Sequence, residues 1–412
     1  MTALGNVVMK FIKGGVCAAK GFKASGVHCG IRKSRTKRDL SLIFSEKDAS
    51  CAAVYTTNLV KGAPIAVTAD HISDGHARAV ICNSGNANTC NAGGEDIARE
   101  MCELAAAGLR ISPKDVAVAS TGVIGQPLDI APIKAGIPEL CGALSYDGSD
   151  DAAEGIMTTD TKLKEVTVEF ELDGKTCRMG GIAKGSGMIH PNLATMLVFI
   201  TTDAAISPEM LKKALSGDVK KTFNMVSIDG DTSTNDMVIV LANGMAGNAE
   251  ISSENEDFGV FMKALNSVNV GLCRKIAADG EGATKLLECS VSGAPDEATA
   301  ATVAKSVVCS SLLKAAMFGA DANWGRVLCA IGYSGADVDP LKIDVSFRSK
   351  AGEIGVCRGG KGIEFSEDEA KKILSCDEIE ILVCLNSGDA SSLAWGCDLT
   401  YDYVKINGDY RT

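Results

Sequence analysis

The stretch KGSGMIHPNLATMLVFITTD, residues 184–203, joins a glycine-containing loop to an apolar strand. Residues 195, 197, 199 and 201 would share one face of that strand, and residues 196, 198 and 200 the other. Both sets are mainly apolar, which predicts a strand covered on both sides. Thr195 stands at its start, directly after the small Ala194. Threonine begins many ordinary strands, so this stretch alone leaves a structural and a functional interpretation open.

The composition is that of a globular protein of 412 residues, long enough for two ordinary domains or one large body. Apolar residues make up 46% and charged residues 23% of the chain. The net charge of −11 disfavours a nucleic-acid partner, because phosphates require a basic surface. A small anionic substrate stays compatible with this balance, since a basic pocket can form on an acidic body.

The sixteen cysteines are scattered singly through apolar runs and form no CxxC pair, and the four histidines have no zinc-like spacing with them. We therefore expect free thiols in a reducing compartment and no metal site. The N-terminus lacks a signal-peptide pattern, and no apolar run approaches the roughly 20 residues of a membrane helix. These features predict a cytoplasmic protein without a membrane partner.

Strand and helix patterns alternate along both halves of the chain. The segment VTVEFELDGKTCRMGG predicts a hairpin that turns at Asp173-Gly174. GGEDIAREMCELAAAGL predicts an amphipathic helix, and Ser207 is a candidate N-cap for another. No Pro- or Ser-rich linker divides the chain. The patterns predict an α/β (α+β) protein with layered, mixed sheets, whose strand order the sequence does not fix.

A second segment of chemical interest is STGVIG, which follows a predicted strand. Thr121 offers a hydroxyl donor, and Gly122 offers a backbone N–H that no side chain obstructs. Such a pair can hold the oxygen of a tetrahedral acyl intermediate, an interaction worth about 3–4 kcal/mol per donor. An ordinary turn would have the same sequence, so this segment alone does not decide between the two.

Ten segments, taken in order, extend over essentially the whole chain. The most distinctive is KGSGMIHPNLATML. The others are GVHCGIRKSRTKRDLSLIFS, VYTTN, NSGNANTCNAGG, STGVIG, IMTTDT, DGDTSTND, DGEGATK, GADANWGRVLCAIGYSG and AWGCDLTYDYVKINGDYRT. Together these segments resemble the glutamate N-acetyltransferases, also called ornithine acetyltransferases, of arginine biosynthesis.

The resemblance implies a precursor that cuts itself between Ala194 and Thr195. The products would be an α chain, residues 1–194, and a β chain, residues 195–412, which form one interwoven unit and assemble as an α2β2 heterotetramer. The implied fold is an αββα body with mixed sheets and a smaller lobe. Cleavage would free the α-amine of Thr195, whose reference pKa of about 7.7–8.0 suits a general base, so one residue supplies nucleophile and base.

The resemblance also implies the remaining site residues. Thr121 and Gly122 match the family's oxyanion hole. The positions that match substrate-binding residues are Thr158, Lys184, Thr195, Glu281, Asn407 and Thr412. His190, five residues before Thr195, is expected to have a packing or polar-turn role instead of a catalytic one. Most residues of the NSGNAN and GDTSTND segments are likewise expected to be structural.

The implied reaction is acetyl transfer from N2-acetyl-L-ornithine to L-glutamate by a ping-pong mechanism through an acetyl-threonine intermediate, without a metal or an organic cofactor. The DYRT ending resembles that of bifunctional members, which also accept acetyl-CoA as a co-substrate. Two alternatives are an amidohydrolase or aminopeptidase with an N-terminal nucleophile, and a non-catalytic amino-acid-binding protein. The first would release acetate or an amino acid without glutamate, and the second would stay uncut.

Overall fold

The computed structural model describes residues 9–32, 34, 36–190 and 196–408. The predicted cleavage site, Ala194 and Thr195, and the predicted substrate contact Thr412 lie outside these residues.

Strands and helices alternate along the described chain, as predicted from the sequence. The strands are β1 (Lys10–Ile12), β2 (Phe22–Val27), β3 (Leu40–Tyr55), β4 (His76–Asn86), β5 (Val116–Val123), β6 (Lys164–Leu172), β7 (Lys175–Lys184), β8 (Leu197–Thr202), β9 (Val226–Ser227), β10 (Met237–Ala242), β11 (Leu286–Ala294), β12 (Asp344–Ser349), β13 (Gly352–Arg358), β14 (Lys361–Gly362), β15 (Glu378–Cys384) and β16 (Ala390–Cys397). The α-helices are α1 (Ala63–His71), α2 (Gly94–Leu109), α3 (Ile130–Gly142), α4 (Ser149–Ile156), α5 (Pro208–Asp218), α6 (Glu256–Ala278), α7 (Glu297–Cys309), α8 (Ser311–Phe318), α9 (Trp324–Gly332), α10 (Glu367–Leu374) and α11 (Tyr401–Asn407).

Two mixed sheets organise the described residues. The larger sheet has nine strands in the order β1-β6-β7-β8-β10-β3-β4-β5, with β2 paired to β3 beside this path. The smaller sheet has seven strands in the order β14-β13-β12-β15-β11-β16-β9. Each combines parallel and antiparallel pairs: β8 runs parallel to β10 but antiparallel to β7, and β11 runs parallel to β15 but antiparallel to β16. The predicted α/β class with mixed sheets is confirmed.

Strand β8 lies near the middle of the larger sheet and is buried on both faces, as its sequence predicted. Leu197 and Phe199 join a core that includes residues of α4, whereas Val198 and Ile200 join the core that contains α5 and α6. Helix α6 packs against strands of both sheets, β6 and β7 in the larger and β11 and β16 in the smaller. A third core lies under α1, α2 and α3, next to β4 and β5.

Three local predictions are confirmed. The β6–β7 hairpin turns at Asp173 and Gly174, whose φ angles of 49° and 65° are both positive, as a tight hairpin turn requires. The predicted amphipathic helix is α2, which buries Ala98, Met101, Cys102 and Ala105. Ser207 caps α5 by accepting a 3.3 Å hydrogen bond from the backbone N–H of Met210.

In the described part of the chain, no single helix has both the length and the apolar character to cross a membrane. Helices α7 and α8 meet that test only as a pair, and they are bent by 58° at the break between them. All sixteen cysteines carry free thiols, and nine of them are buried.

Candidate active site

One cleft of about 590 Å³ collects every predicted site residue that the structure describes. Strand β5 supplies part of one wall, and the end of β7 and the loops beside it supply the other. The lining residues are Ala87, Thr121, Gly122, Ile124, Thr158, Thr159, Lys184, Gly187, Met188, Ser233, Thr234, Asn235, Glu281 and Asn407. Thr121, Gly122, Thr158, Lys184, Glu281 and Asn407 come from five separate parts of the sequence, and the fold brings all six together.

Thr121 and Gly122 lie near the end of β5, where its pairing with β4 becomes irregular. Gly122 has a φ of 133°, and a Cβ atom built there would lie 2.3 Å from the backbone carbon of Gly85. Only glycine fits this position without displacing β4. The close approach of the two strands therefore fixes the backbone beside the Thr121 hydroxyl.

The amide of Asn235, which lines the cleft, ties β5 to its surroundings. Its Nδ2 donates to the carbonyl oxygens of Ala87 at 2.5 Å and Ser120 at 3.0 Å. Its Oδ1 accepts from the hydroxyls of Thr89 and Thr234, both at 2.6 Å. Asn235 is 5% exposed, so its amide is satisfied within the protein. We call Asn235, Thr89 and Thr234 the amide network; it holds the carbonyl immediately before Thr121.

Lys184 is the last residue of β7 and is 8% exposed. It pairs in register with Leu197, the first residue of β8 and the second residue after Thr195 in sequence. None of the described residues accepts a hydrogen bond from its ammonium group. A mostly buried cation with this freedom at the lip of a cleft is suited to a substrate carboxylate.

Behind Lys184 lie three buried charges, Asp160, Lys164 and Asp279, which we call the ionic cluster. The Lys164 ammonium donates to Asp160 Oδ1 at 2.7 Å and to Asp279 Oδ2 at 2.5 Å. The side chains of all three residues are at most 4% exposed. Burial by itself would raise the pKa of Asp160, but the ammonium groups of Lys164 and Lys184 and the hydrogen bonds to the carboxylate hold it below its ordinary value.

Glu281 and Asn407 meet at the far end of the cleft. Asn407, at the end of α11, donates from Nδ2 to Glu281 Oε2 at 2.7 Å, and Glu281 is 9% exposed. Its carboxylate lies against Gly187, where an added Cβ would come within 2.4 Å of the same oxygen. The backbone N–H of Glu281 donates to the carbonyl of Ser186 at 2.8 Å, so the loop after β7 and the loop after α6 are joined here.

Thr158 lies between α4 and β6 and is half-buried. Its backbone N–H donates to Asp160 Oδ2 at 3.0 Å, so its place in the cleft is set by the ionic cluster. The hydroxyls of Thr159 and Ser186 are 2.7 Å apart, which links this loop to the end of β7.

His190 does not line the cleft, in agreement with the structural role expected from the sequence. Its Nδ1 lies 3.1 Å from the Ser227 hydroxyl and 3.5 Å from the Cys309 sulfur. Burial, assisted by the nearby Lys305 charge, lowers the pKa of the His190 ring and favours its neutral form. Among the described residues, no group of three or more His, Cys, Asp or Glu side chains has an arrangement that could hold a metal ion.

The comparison with known proteins decides the family. A model of the ArgJ family matches residues 23–412. The chain belongs to the ArgJ family. It is 52% identical to the arginine biosynthesis bifunctional protein ArgJ 1 of Clostridium acetobutylicum over 392 residues, which cover 95% of this chain and 96% of that protein. It is 51% identical to the ArgJ protein of Caldanaerobacter subterraneus subsp. tengcongensis over 406 residues, 98% of this chain and 100% of that one.

A crystal structure of ArgJ from Bacillus halodurans is 47% identical and matches with a TM-score of 0.49, covering 52% of this chain and 97% of that chain. The ArgJ family membership confirms the family predicted from the sequence. It also confirms the predicted class of protein, an acyltransferase of arginine biosynthesis.

Sequence reasoning did not find the residues that support the cleft of this ArgJ family member. Asp160, Lys164 and Asp279 were not predicted as parts of the site, and Asn235 was counted only within a turn-forming segment. Asp160 and Lys164 are four residues apart, a spacing that elsewhere indicates an exposed helical ion pair. Asp279 lies 115 residues beyond Lys164, and no sequence signal connects the two.

Proposed function

We propose that the chain transfers an acetyl group from N2-acetyl-L-ornithine to L-glutamate, and that it also takes acetyl from acetyl-CoA. One observation carries the proposal: Thr121, Gly122, Thr158, Lys184, Glu281 and Asn407, predicted from scattered segments, line one cleft. The relatives' designation as bifunctional proteins of arginine biosynthesis supports the use of two donors.

The charges of the cleft match those of an acetylated amino acid. In this proposal the Lys184 ammonium binds the α-carboxylate, because it is a mostly buried cation without an acceptor among the described residues. The Glu281 carboxylate, oriented by Asn407, binds the side-chain ammonium of ornithine. Thr158 donates or accepts a hydrogen bond at the amide. Ornithine and glutamate share an α-amine and an α-carboxylate, so the two can occupy the same cleft in turn, as a ping-pong reaction requires.

Thr195, outside the described residues, is the proposed nucleophile. Its Oγ forms a bond to the acetyl carbonyl carbon while its α-amine takes the hydroxyl proton. The negative oxygen accepts hydrogen bonds from the Thr121 hydroxyl and the Gly122 N–H. The bond from carbon to the ornithine nitrogen then breaks, and the α-amine returns the proton to that nitrogen. Glutamate enters, its amine attacks the acetyl ester, and the reverse proton transfers restore Thr195.

The proposed enzyme forms by self-cleavage. The Oγ of Thr195 attacks the carbonyl carbon of Ala194, the peptide C–N bond breaks, and the α-amine is released as an ester forms. Water hydrolyses the ester and leaves a carboxylate on Ala194. We propose that the pieces 1–194 and 195–412 stay together and pair as α2β2 in the cytoplasm.

Intact mass spectrometry of the purified protein tests the proposal. We expect two pieces that meet at the Ala194–Thr195 bond, and an added acetyl group on the 195–412 piece after mixing with N2-acetylornithine. Thr195→Ala should abolish both the cut and the acetylation. Thr176→Ala, which changes an exposed threonine on β7, is the matched control and should leave both intact.

Glutamate dependence separates transfer from hydrolysis. With N2-acetylornithine present, steady release of ornithine should require glutamate, and the acetyl group should appear on glutamate. Steady ornithine and acetate release without glutamate would instead show an amidohydrolase. A single uncut chain that still transfers acetyl would overturn the proposed nucleophile.

A further inference from the structure

We propose that the two walls of the cleft have separate supports with separate kinetic roles, an inference that rests on the proposed function. The ionic cluster positions the wall that binds substrate. The amide network positions the strand that carries the oxyanion donors. The residues of the ionic cluster do not line the cleft and act through the segments that they hold. Asn235 lines the cleft, but its amide groups are bonded within the protein, so we assign it a positioning role as well.

The ionic cluster holds all three segments of the binding wall. Asp160 accepts hydrogen bonds from the backbone N–H groups of Thr158 at 3.0 Å and Gly185 at 2.7 Å, and Gly185 directly follows Lys184. Asp279 joins the cluster through Lys164 and lies two residues before Glu281. Thr158 is therefore bound by the cluster directly, Lys184 precedes a residue that the cluster binds, and Glu281 lies two residues after a member of the cluster.

The cluster is built as a closed unit. The Asp279 carboxylate also accepts from the backbone N–H groups of Thr161 at 3.0 Å and Lys162 at 3.3 Å, and from the Thr161 hydroxyl. Burying two carboxylates and an ammonium is unfavourable unless their hydrogen bonds are satisfied, and replacement by apolar groups often leaves stability unchanged. A gain in stability therefore explains the presence of these buried charges poorly. A role in fixing the geometry of the wall that binds substrate explains it better.

The amide network supports the other wall, and in the described part of the chain no hydrogen bond joins it to the ionic cluster. Asn235 fixes the carbonyls of Ala87 and Ser120, and therefore the peptide that leads into Thr121. Because an oxyanion donor acts only when charge develops on the acetyl oxygen, displacing this strand weakens the transition state more than the bound substrate.

Single-turnover kinetics on the cut enzyme separates the two roles. The enzyme is mixed with increasing N2-acetylornithine without glutamate, and ornithine release is followed. The dependence of the rate on N2-acetylornithine concentration gives a half-saturating concentration and a rate constant at saturation. The amplitude of ornithine release gives the concentration of active sites. Asp160→Asn keeps the shape but presents an amide to donors, and should raise the half-saturating concentration about tenfold or more while changing the saturating rate less than about threefold.

Asn235→Ala should do the reverse, lowering the saturating rate about tenfold or more and leaving the half-saturating concentration within about threefold. The matched controls are Asp218→Asn and Asn248→Ala. Both are buried polar residues with several hydrogen bonds away from the cleft, so they should lower stability without changing either constant.

The inference is overturned if Asp160→Asn and Asn235→Ala change both constants in the same proportion, or if the controls change them equally. If Asp160→Asn gives no cut protein, Asp279→Asn is measured in the same way, because it weakens the contact to Lys164 that holds the segment of Glu281. It should also raise the half-saturating concentration more than it lowers the saturating rate. A wild-type enzyme that releases no ornithine and gains no acetyl group would contradict the proposed function itself, which is a different result.

Discussion

Replacing Gly122 by alanine tests the close approach of β4 and β5 beside the proposed oxyanion site. The new Cβ would lie 2.3 Å from the Gly85 carbon, 2.5 Å from the Asn86 nitrogen and 2.6 Å from the Gly85 oxygen. All three are backbone atoms, so no flexible side chain can move aside. The residue must also keep a φ of 133°, which L-residues rarely adopt.

The magnitude follows from these two effects. Backbone strain at a sparsely populated φ costs about 1–3 kcal/mol, and overpacking against fixed neighbours costs about 1–3 kcal/mol more. We therefore expect Gly122→Ala to lower the free energy of unfolding by about 4 kcal/mol. If the strands separate to relieve the contact, the residue 122 N–H leaves its place. The saturating rate of acetyl transfer should then fall about 10²- to 10³-fold.

Gly125→Ala is the matched control. Gly125 has a φ of 78° in the same segment, but a Cβ there meets no atom within 4 Å. It should lose only about 1–2 kcal/mol from the positive φ, with little change in rate. Urea denaturation and the single-turnover assay measure both quantities. Equal stability of the two variants, together with an unchanged transfer rate in Gly122→Ala, would refute the argument.

Three further predictions concern charged groups. Lys184→Met should raise the half-saturating concentration of N2-acetylornithine about tenfold or more, because it removes the proposed partner of the substrate carboxylate. Lys175→Met, at the exposed start of β7, should leave it unchanged, and initial rates measured over a range of substrate concentrations compare the two. Glu281→Gln keeps a side chain of the same shape beside Asn407 but removes its negative charge. Calorimetry should show the dissociation constant of ornithine raised about tenfold or more, and that of glutamate raised less. Burial lowers the pKa of Lys305 from 10.5 to about 8, so the unfolded chain binds more protons between these values and the free energy of unfolding should rise from pH 8 to pH 10.5. Urea denaturation of Lys305→Met should lack this Lys305 contribution, and an identical rise in both proteins would contradict the assignment.

The features predicted from the sequence alone depend on short stretches of chain. The turn at Asp173-Gly174 and the cap at Ser207 are each decided within about four residues. The burial of β8 on both faces follows from six consecutive residues. In these cases the local sequence preference and the tertiary contacts favour the same structure, so the prediction from the sequence is correct.

The cleft residues were predicted by a different route. Thr121, Lys184 and Glu281 are each unremarkable as single residues, and only the ordered set of segments pointed to them. Their meeting in one cleft depends on the order of strands in the larger sheet, where β3 and β4 separate β5 from β8 and β10. That order is set by long-range pairing, which the sequence patterns did not specify.

The supports of the cleft were missed because sequence reasoning places charged residues on the surface, where most of them lie. Asp160 and Lys164 occur in a polar stretch, TTDTKLK, that looks like an exposed loop, yet both side chains are at most 1% exposed. Burying them is unfavourable unless Asp279, from the end of a distant helix, completes the hydrogen bonds. An exposed-loop interpretation would be correct for the segment in isolation. The exposed-loop interpretation fails because these charges hold the backbone beside Thr158 and Lys184. Their partner Asp279 comes close only in the folded chain, so the short stretch does not reveal this role.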